Sequence, residues 1–332
     1  MTELYPLKFE PILMDKIWGG NALAGRWGKN ADLSRKIGES WELSAVPENL
    51  SVVSNGFLAG NNIQEIIEVY MGDITGEAIF DRYGLEFPLL IKLIEADKDL
   101  SIQVHPGDDL AMERHGAFGK TEMWYILESL PGAKIYTGFS RQESRESFSE
   151  ALLSGKLPGM LNIEESTSGD VFFTPAGRIH AIGEGNLLVE IQQTSDITYR
   201  IFDWDRKNTD GSERELHTEL SLDAIDYSPA GNTVIRKELI TDSTVNLVSC
   251  DYFVTNILHF SSIIRKDYNL IDSFIIYICT EGEFLIHWDS GTEIVKKGET
   301  VLLPAMITDV VLEPRPESKV LEVFINSYPD IK

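Results

Sequence analysis

Residues 169–180 read GDVFFTPAGRIH, and this stretch decides the fold class of the chain. Gly169 and Pro175 enclose a short run of β-branched and aromatic residues, which is typical of a β-strand bounded by turns. Pro175 and Gly177 then favour a turn that can aim the imidazole of His180 inward. The stretch therefore predicts a strand, a turn and a histidine facing the inside of a β structure.

The Gly-x5-Pro spacing occurs again about 130 residues later, between Gly298 and Pro304. Upstream of each copy, an acidic residue precedes a glycine by ten positions: Glu122 and Gly132 before the first copy, Asp272 and Gly282 before the second. A repeat of this kind predicts two related β-barrels. The first would occupy residues 1–235 and the second residues 240–332.

Most apolar segments are short, rich in Val, Ile, Phe and Tyr, and bounded by Gly, Pro, Asn or Asp, so they predict an all-β framework. The segments with this pattern are residues 89–94, 124–127, 170–174, 187–192, 274–279 and 299–303. Two stretches carry helical periodicity instead: residues 62–70, where Asn62 and Glu65 fit a capping box, and residues 142–153. These stretches predict a small helical insertion.

The chain has 332 residues, a formal net charge of −24 and an isoelectric point near 4.6. Binding to a nucleic-acid backbone needs a clustered excess of Lys and Arg, so nucleic acid is excluded as a partner. An anionic metabolite would need a local basic pocket within this acidic field. The cations that lie near the motifs are Lys92, Lys98, Lys120, Arg178 and Arg200.

No stretch has the roughly 18 uninterrupted apolar residues of a membrane span, and the N-terminus lacks the pattern of a signal peptide. These features predict a cytoplasmic protein without a membrane partner. Cys250 and Cys279 are the two cysteines, and neither has the spacing of a redox or thiolate-metal site. Because both lie in apolar surroundings, we expect both to be buried thiols.

Four side chains form a candidate metal site. Gln103 and His105 are two residues apart, which in a strand places both on the same face. Glu122 opens a second strand, and His180 follows the turn described above. Such a set of nitrogen and oxygen ligands suits a hard or borderline divalent ion.

These motifs resemble those of the cupin superfamily, with Gln103 at a position where many cupins carry His. Longer strings resemble type I mannose-6-phosphate isomerases, particularly the short bacterial form. These strings are KIWGG at 16–20, GESWE at 38–42, FPLLIK at 87–92, QVHP at 103–106, KTEMWY at 120–125 and QQTSDITYRIFDWDR at 192–206. The resemblance implies two jelly-roll barrels, the second degenerate, and a chain that lacks the large helical domain of longer family members.

The resemblance also implies site roles and an activity. Gln103, His105, Glu122 and His180 correspond to the ligands of one zinc ion per chain, and Arg200 to an active-site arginine. The implied reaction interconverts mannose 6-phosphate and fructose 6-phosphate through an enediol. The residues beside the motifs that are candidates for holding the phosphate are Ser101, Lys92 and Lys120.

Glu190 is a candidate catalytic base. It alternates with Val189 and Ile191 in an apolar strand, where a carboxylate either faces a polar cavity or costs several kcal/mol. An outward, solvated face carrying Glu190 and Gln192 is the other reading. A histidine or a water held by the metal could also move the proton.

Two other function classes fit parts of the sequence. A non-catalytic cupin that binds a sugar phosphate could use the same residues, and an iron-dependent oxygenase would favour His where Gln103 stands. In the second predicted barrel, Pro304 leads to Met306 and Asp309, so the turn glycine and the histidine of the first motif are missing. We expect that barrel to hold no metal and to pack against the first or to mediate a homodimer.

Overall fold

The computed structural model describes residues 4–207 and 211–326. Residues 1–3, part of the N-terminal pattern interpreted above, and residues 327–332, at the end of the second predicted barrel, lie outside this range.

Strands carry most of the regular structure, as the sequence predicts. In chain order they are β1 (Leu7–Lys8), β2 (Ile12–Gly20), β3 (Ile37–Leu43), β4 (Ala45–Val46), β5 (Asn49–Leu50), β6 (Leu89–Ala96), β7 (Ile102–Val104), β8 (Glu122–Ser129), β9 (Lys134–Phe139), β10 (Leu161–Glu165), β11 (Val171–Thr174), β12 (His180–Ile182), β13 (Asn186–Gln193), β14 (Tyr199–Phe202), β15 (Val234–Ile235), β16 (Ser243–Ser249), β17 (Val254–Phe260), β18 (Ile264–Asp267), β19 (Ile275–Trp288), β20 (Gly291–Lys296), β21 (Thr300–Leu303) and β22 (Asp309–Phe324).

The strands form three large sheets. A seven-stranded sheet has the order β15-β11-β8-β13-β6-β3-β2, and a five-stranded sheet has the order β10-β9-β12-β7-β14. The C-terminal strands form an eight-stranded sheet, β1-β21-β19-β22-β17-β16, in which β18 pairs with β22 and β20 with β19. The remaining pair is β4 with β5. Strand β1 pairs with β21 of the C-terminal sheet, so residues from both ends of the chain lie in one sheet.

The helices are more numerous than the sequence suggested. They are α1 (Ala22–Arg26), α2 (Ile63–Tyr70), α3 (Gly72–Thr75), α4 (Glu77–Tyr83), α5 (Asp108–His115), α6 (Arg145–Leu153), α7 (Thr218–Ala224) and a 3₁₀ turn at Leu157–Met160. The capping box expected at Asn62 and Glu65 is present at α2. Helix α6 begins at Arg145, three residues later than predicted, because Ser144 caps it by accepting a hydrogen bond from the Ser147 amide.

The glycines that open the two Gly-x5-Pro segments share one conformation. Gly169 has φ 92° and Gly298 has φ 84°, and each precedes a strand of four residues, β11 or β21. Only glycine adopts this region without strain. A Cβ on Gly298 would also lie 2.6 Å from the carbonyl oxygen of Trp27, so the backbone approaches too closely for any side chain.

Strand alternation divides the side chains of β13 between two layers. Leu187, Val189 and Ile191 join a core shared with α2 and the C-terminal sheet, whereas Leu188 joins the core between the seven- and five-stranded sheets. Glu190 therefore faces inward, between these two sheets. The candidate site therefore lies between the seven- and five-stranded sheets.

The cysteine expectation holds for one residue and is wrong for the other. Cys279 is buried in β19, but Cys250, which follows β16, is half-buried. Both are free thiols. Among the described residues, no helix has the length and apolar character needed to cross a bilayer.

Candidate active site

Three side chains that can ligate a metal meet between the seven- and five-stranded sheets. His105, Glu122 and His180 offer ligand atoms that all lie within 4.8 Å of one another. His180 Nε2 is 3.3 Å from Glu122 Oε1, and His105 Nε2 is 3.5 Å from Glu122 Oε2. The three residues are separated in sequence, and they meet because the two sheets face each other.

Backbone carbonyls orient both imidazoles. His105 Nδ1 donates to the carbonyl oxygen of Ile197 and His180 Nδ1 to that of Arg178, each at 2.8 Å. A carbonyl can only accept, so Nδ1 carries the proton and Nε2 is an unprotonated acceptor in each ring. Each Nε2 lies within 3.5 Å of a carboxylate oxygen of Glu122.

Gln103 lies beside this group on the side of the five-stranded sheet. It pairs with His180 in the register of β7 and β12, and its Nε2 lies 3.3 Å from His180 Nε2. Its Oε1 faces Ser101 Oγ at 3.4 Å. A half-turn of the terminal amide would exchange these two atoms and bring the oxygen toward the histidine, as a ligand role requires.

The burial of these side chains fits a bound cation. His105 and His180 are 1% exposed and Glu122 is 0% exposed. Lys120 forms an ion pair with Glu122 Oε2 at 3.2 Å, but neither carboxylate oxygen has a partner in hydrogen-bond geometry among the described residues. A buried, unsatisfied carboxylate is costly, and a divalent ion at this point would compensate both oxygens.

The protonation states of the two imidazoles suit metal binding, whereas Glu122 must lose a proton to become a ligand. Burial raises the pKa of Glu122 above its usual range, and the charges of Lys120 and Lys92 offset this only in part. Burial lowers the pKa of His105 well below its usual range and that of His180 to about 4. Both imidazoles are therefore neutral near pH 7, which is the form that binds metals.

Lys120 borders the group directly. Its Nζ lies 3.2 Å from His105 Nε2 and 3.2 Å from Glu122 Oε2. The ammonium is only 4% exposed, and it forms an ion pair with the Glu122 carboxylate. It thus links the ligand group to the adjoining pocket.

Glu190 lies in a buried polar network. Lys92 Nζ donates to Glu190 Oε1 at 2.9 Å and to Gln192 Oε1 at 2.8 Å, and Trp124 Nε1 donates to Glu190 Oε2 at 2.9 Å. Burial raises the pKa of Glu190, but the charges of Lys92 and then Lys120 outweigh it and hold the pKa below its usual value. The alternative of a solvated outer face is wrong, because Glu190 is 4% exposed and Gln192 0%.

A pocket of about 370 Å³ opens from this network to the surface. Ser101, Gln103, Lys92, Lys120, Glu190 and Arg200 all line it, so the structure brings these predicted residues to one cavity. Arg200 donates through Nη1 to the carbonyl oxygen of Glu215 at 2.8 Å. Its Nε is buried and has no hydrogen-bond partner among the described residues.

The pocket also holds charged and aromatic residues that the sequence did not single out. They are Lys16, Trp18, Glu39, Trp41, Asp196 and Arg214. All except Arg214 lie within the strings that resemble the family. The resemblance could therefore have indicated them as pocket residues. Arg214 lies outside them, in the segment after β14.

The fold and the site define a β-sheet protein with a buried group of side chains that can ligate a metal, beside a cation-lined pocket. The chain belongs to the type I phosphomannose isomerase family, since it is 35% identical over 311 residues to mannose-6-phosphate isomerase ManA of Bacillus subtilis (strain 168). That match covers 93% of this chain and 96% of the relative. A family model described as phosphomannose isomerase type I, catalytic domain, matches residues 7–124.

Two further comparisons agree. The chain is 33% identical over 303 residues to the mannose-6-phosphate isomerase of Streptococcus mutans, covering 91% of this chain and 93% of that protein. The crystal structure of the mannose 6-phosphate isomerase from Bacillus subtilis matches with a TM-score of 0.83 and 31% identity, over 96% of this chain and 99% of that one. The similarity therefore extends well beyond the ligand strands.

Proposed function

We propose that the protein is a metal-dependent aldose-ketose isomerase that interconverts mannose 6-phosphate and fructose 6-phosphate. The observation that carries the proposal is the buried group of His105, Glu122 and His180 beside a pocket lined by Lys92, Lys120 and Arg200. The family relatives named for this activity support the substrate. A sugar phosphate also fits the charges, because cations gather here in an otherwise acidic chain.

We propose one zinc ion per chain, held by Gln103, His105, Glu122 and His180. Two neutral imidazoles, a carboxylate and an amide oxygen make a ligand set that zinc accepts. When bound, zinc supplies Lewis-acid stabilisation of developing negative charge on the sugar oxygens, worth several kcal/mol.

Glu190 is the proposed base for proton transfer between C1 and C2. Its lowered pKa keeps the carboxylate ionised at neutral pH, and the bonds from Lys92 and Trp124 fix its position. A proton accepted by Glu190 would weaken its ion pair with Lys92, which favours returning the proton to the neighbouring carbon. Arg200 stays protonated and adds positive potential where the enediolate forms.

Ser101, Lys92 and Lys120 remain the proposed phosphate-binding residues. Both lysines also have carboxylate partners, so part of their charge is already neutralised. Arg200 and Arg214 line the same pocket and add cations that offset the repulsion from the acidic surface. A held phosphate orients the sugar and contributes binding energy.

The proposed domain organisation follows the repeat. Residues 1–235 would form the catalytic barrel from the facing seven- and five-stranded sheets. Residues 240–332 would form the degenerate barrel from the eight-stranded sheet, to which residues 1–235 contribute strand β1. Asp272 and Asp309 are not proposed as ligands. Asp272 accepts hydrogen bonds from the amides of Glu77 and Ala78 and so caps α4. The homodimer and the cytoplasmic location stay predictions.

The test is turnover of mannose 6-phosphate by the purified protein, with fructose 6-phosphate measured in a coupled assay. We expect turnover that a chelator abolishes, and none in a His180→Ala variant. A zinc-loaded protein that binds the sugar phosphate without converting it would instead support the non-catalytic cupin.

A further inference from the structure

A side chain of the C-terminal sheet contacts the segment next to the ligand group. Tyr252 lies in the turn between β16 and β17, and its hydroxyl donates to Asp108 Oδ2 at 2.7 Å. The two residues are 144 positions apart in sequence. Asp108 is the first residue of α5, three positions after His105.

The other oxygen of Asp108 holds two further segments. Asp108 Oδ1 accepts from the Gly119 amide at 2.8 Å and from Gln193 Nε2 at 2.9 Å. A Cβ on Gly119 would lie 2.6 Å from the Asp108 amide nitrogen, so the two backbones are in close contact. The contacts between Asp108 and Gly119 thus hold the segment after His105 against the segment before Lys120.

Gln193 extends the connection to the third element of the site. It ends β13, three residues after Glu190, and its Oε1 accepts from the Thr121 amide at 2.8 Å. Thr121 directly precedes Glu122. The Asp108 carboxylate therefore joins the chain segments that carry His105, Glu122 and Glu190.

We propose that Tyr252 is a positioning residue for the metal site, through which the C-terminal sheet supports the ligand segments by way of Asp108. Removing a group that hydrogen-bonds directly to a metal ligand typically costs about 10- to 100-fold in affinity, so we expect the lower end of this range for Tyr252, which acts through Asp108. Burial, followed by the bond to Asp108, raises the pKa of the Tyr252 hydroxyl above its ordinary value. The hydroxyl thus remains a donor throughout the neutral range.

This inference rests on the proposed function, but its test does not depend on turnover. Zinc release from the Tyr252→Phe variant to a chromogenic chelator is compared with release from the intact protein. The matched control is Tyr5→Phe, because Tyr5 is also partly buried and donates to the Asn55 carbonyl at 2.7 Å, away from the site. Thermal unfolding of both variants separates local loosening from general destabilisation.

We expect zinc affinity to fall about 10-fold in Tyr252→Phe and to remain unchanged in Tyr5→Phe. With zinc saturating, kcat should fall severalfold in Tyr252→Phe while KM for mannose 6-phosphate stays within about twofold. In an Asp108→Ala background, the Tyr252→Phe change should have no further effect on zinc release, because the two residues act through one contact.

Wild-type zinc release in Tyr252→Phe would overturn the inference, as would an equal loss in Tyr5→Phe. An additive effect in the Asp108→Ala background would do the same. Absence of turnover in the unmodified protein would instead contradict the proposed function, whatever the zinc measurements show.

Discussion

At the scale of single residues, the site is defined by how each buried charge is compensated. Glu190 has donors from Lys92 and Trp124, whereas neither oxygen of Glu122 has a hydrogen-bond partner among the described residues. Lys92 and Trp124 thus hold one carboxylate by hydrogen bonds, whereas the other forms an ion pair with Lys120 at 3.2 Å and is available to a cation. This difference separates the proposed base from the proposed ligand.

Replacing Glu190 by Gln tests the proposed base. The amide keeps the size of the side chain but cannot accept a proton from carbon, so we expect kcat to fall about 10²- to 10⁴-fold. Steady-state kinetics with mannose 6-phosphate measures the effect. The control is Glu95→Gln, since Glu95 is also buried but accepts from the amides of Ala22 and Leu23 outside the pocket. Unchanged kcat in Glu190→Gln would remove Glu190 from the chemistry.

His180 should make the metal-free protein sensitive to acid. Burial holds the folded pKa at about 4, below the ordinary value of 6.5, so the folded state binds fewer protons than the unfolded state. Titration of His180 therefore leaves the free energy of unfolding unchanged above about pH 6.5. As the pH falls toward 4, it lowers the free energy of unfolding by on the order of 3 kcal/mol.

Urea unfolding in the presence of chelator, repeated across this pH range, measures that loss. A His180→Gln variant cannot titrate there, so its stability should fall less steeply between pH 6.5 and 4. Parallel slopes for the two proteins would contradict the assignment of a buried, neutral imidazole.

At the scale of elements, sequence patterns predicted the strands and one helix well. The expected capping box placed α2 correctly, and alternation placed Glu190 on one face of β13. The prediction missed α5, which follows the ligand strand, because its sequence DDLAMERH lacks a clear apolar face and buries only Ala111. The contacts around Asp108 hold this helix, and no local pattern reveals such contacts.

The cap of α2 offers a test of local stability that is separate from catalysis. Asn62 accepts from the Glu65 amide at 3.0 Å, and the helix buries Ile63, Ile66 and Ile67. We expect Asn62→Ala to lower the free energy of unfolding by about 1 kcal/mol. Turnover at 25 °C should not change, because α2 lies outside the pocket.

Gln64→Ala is the matched control, since Gln64 is an exposed amide in the same helix. Denaturant unfolding should place this variant within about 0.5 kcal/mol of the intact protein. Equal destabilisation by both changes would show that the cap has no special role.

At the scale of the whole molecule, the site depends on contacts between segments far apart in sequence. Spacing could predict that Gln103 and His105 share a face, but the approach of Glu122 to His180 requires two sheets to face each other. Residues such as Arg214 and Tyr252 carry no local motif and reach their positions through the fold alone. The sequence therefore indicates the candidate ligands more readily than the residues that surround and support them.

The metal dependence of turnover tests the central claim most directly. The chelated protein is titrated with zinc while fructose 6-phosphate formation is measured, with Glu122→Gln as the control. We expect activity to return and to saturate at one zinc per chain, and the control to stay inactive at that ratio. Full activity in the metal-free protein, or equal restoration in Glu122→Gln, would contradict a metal site at His105, Glu122 and His180.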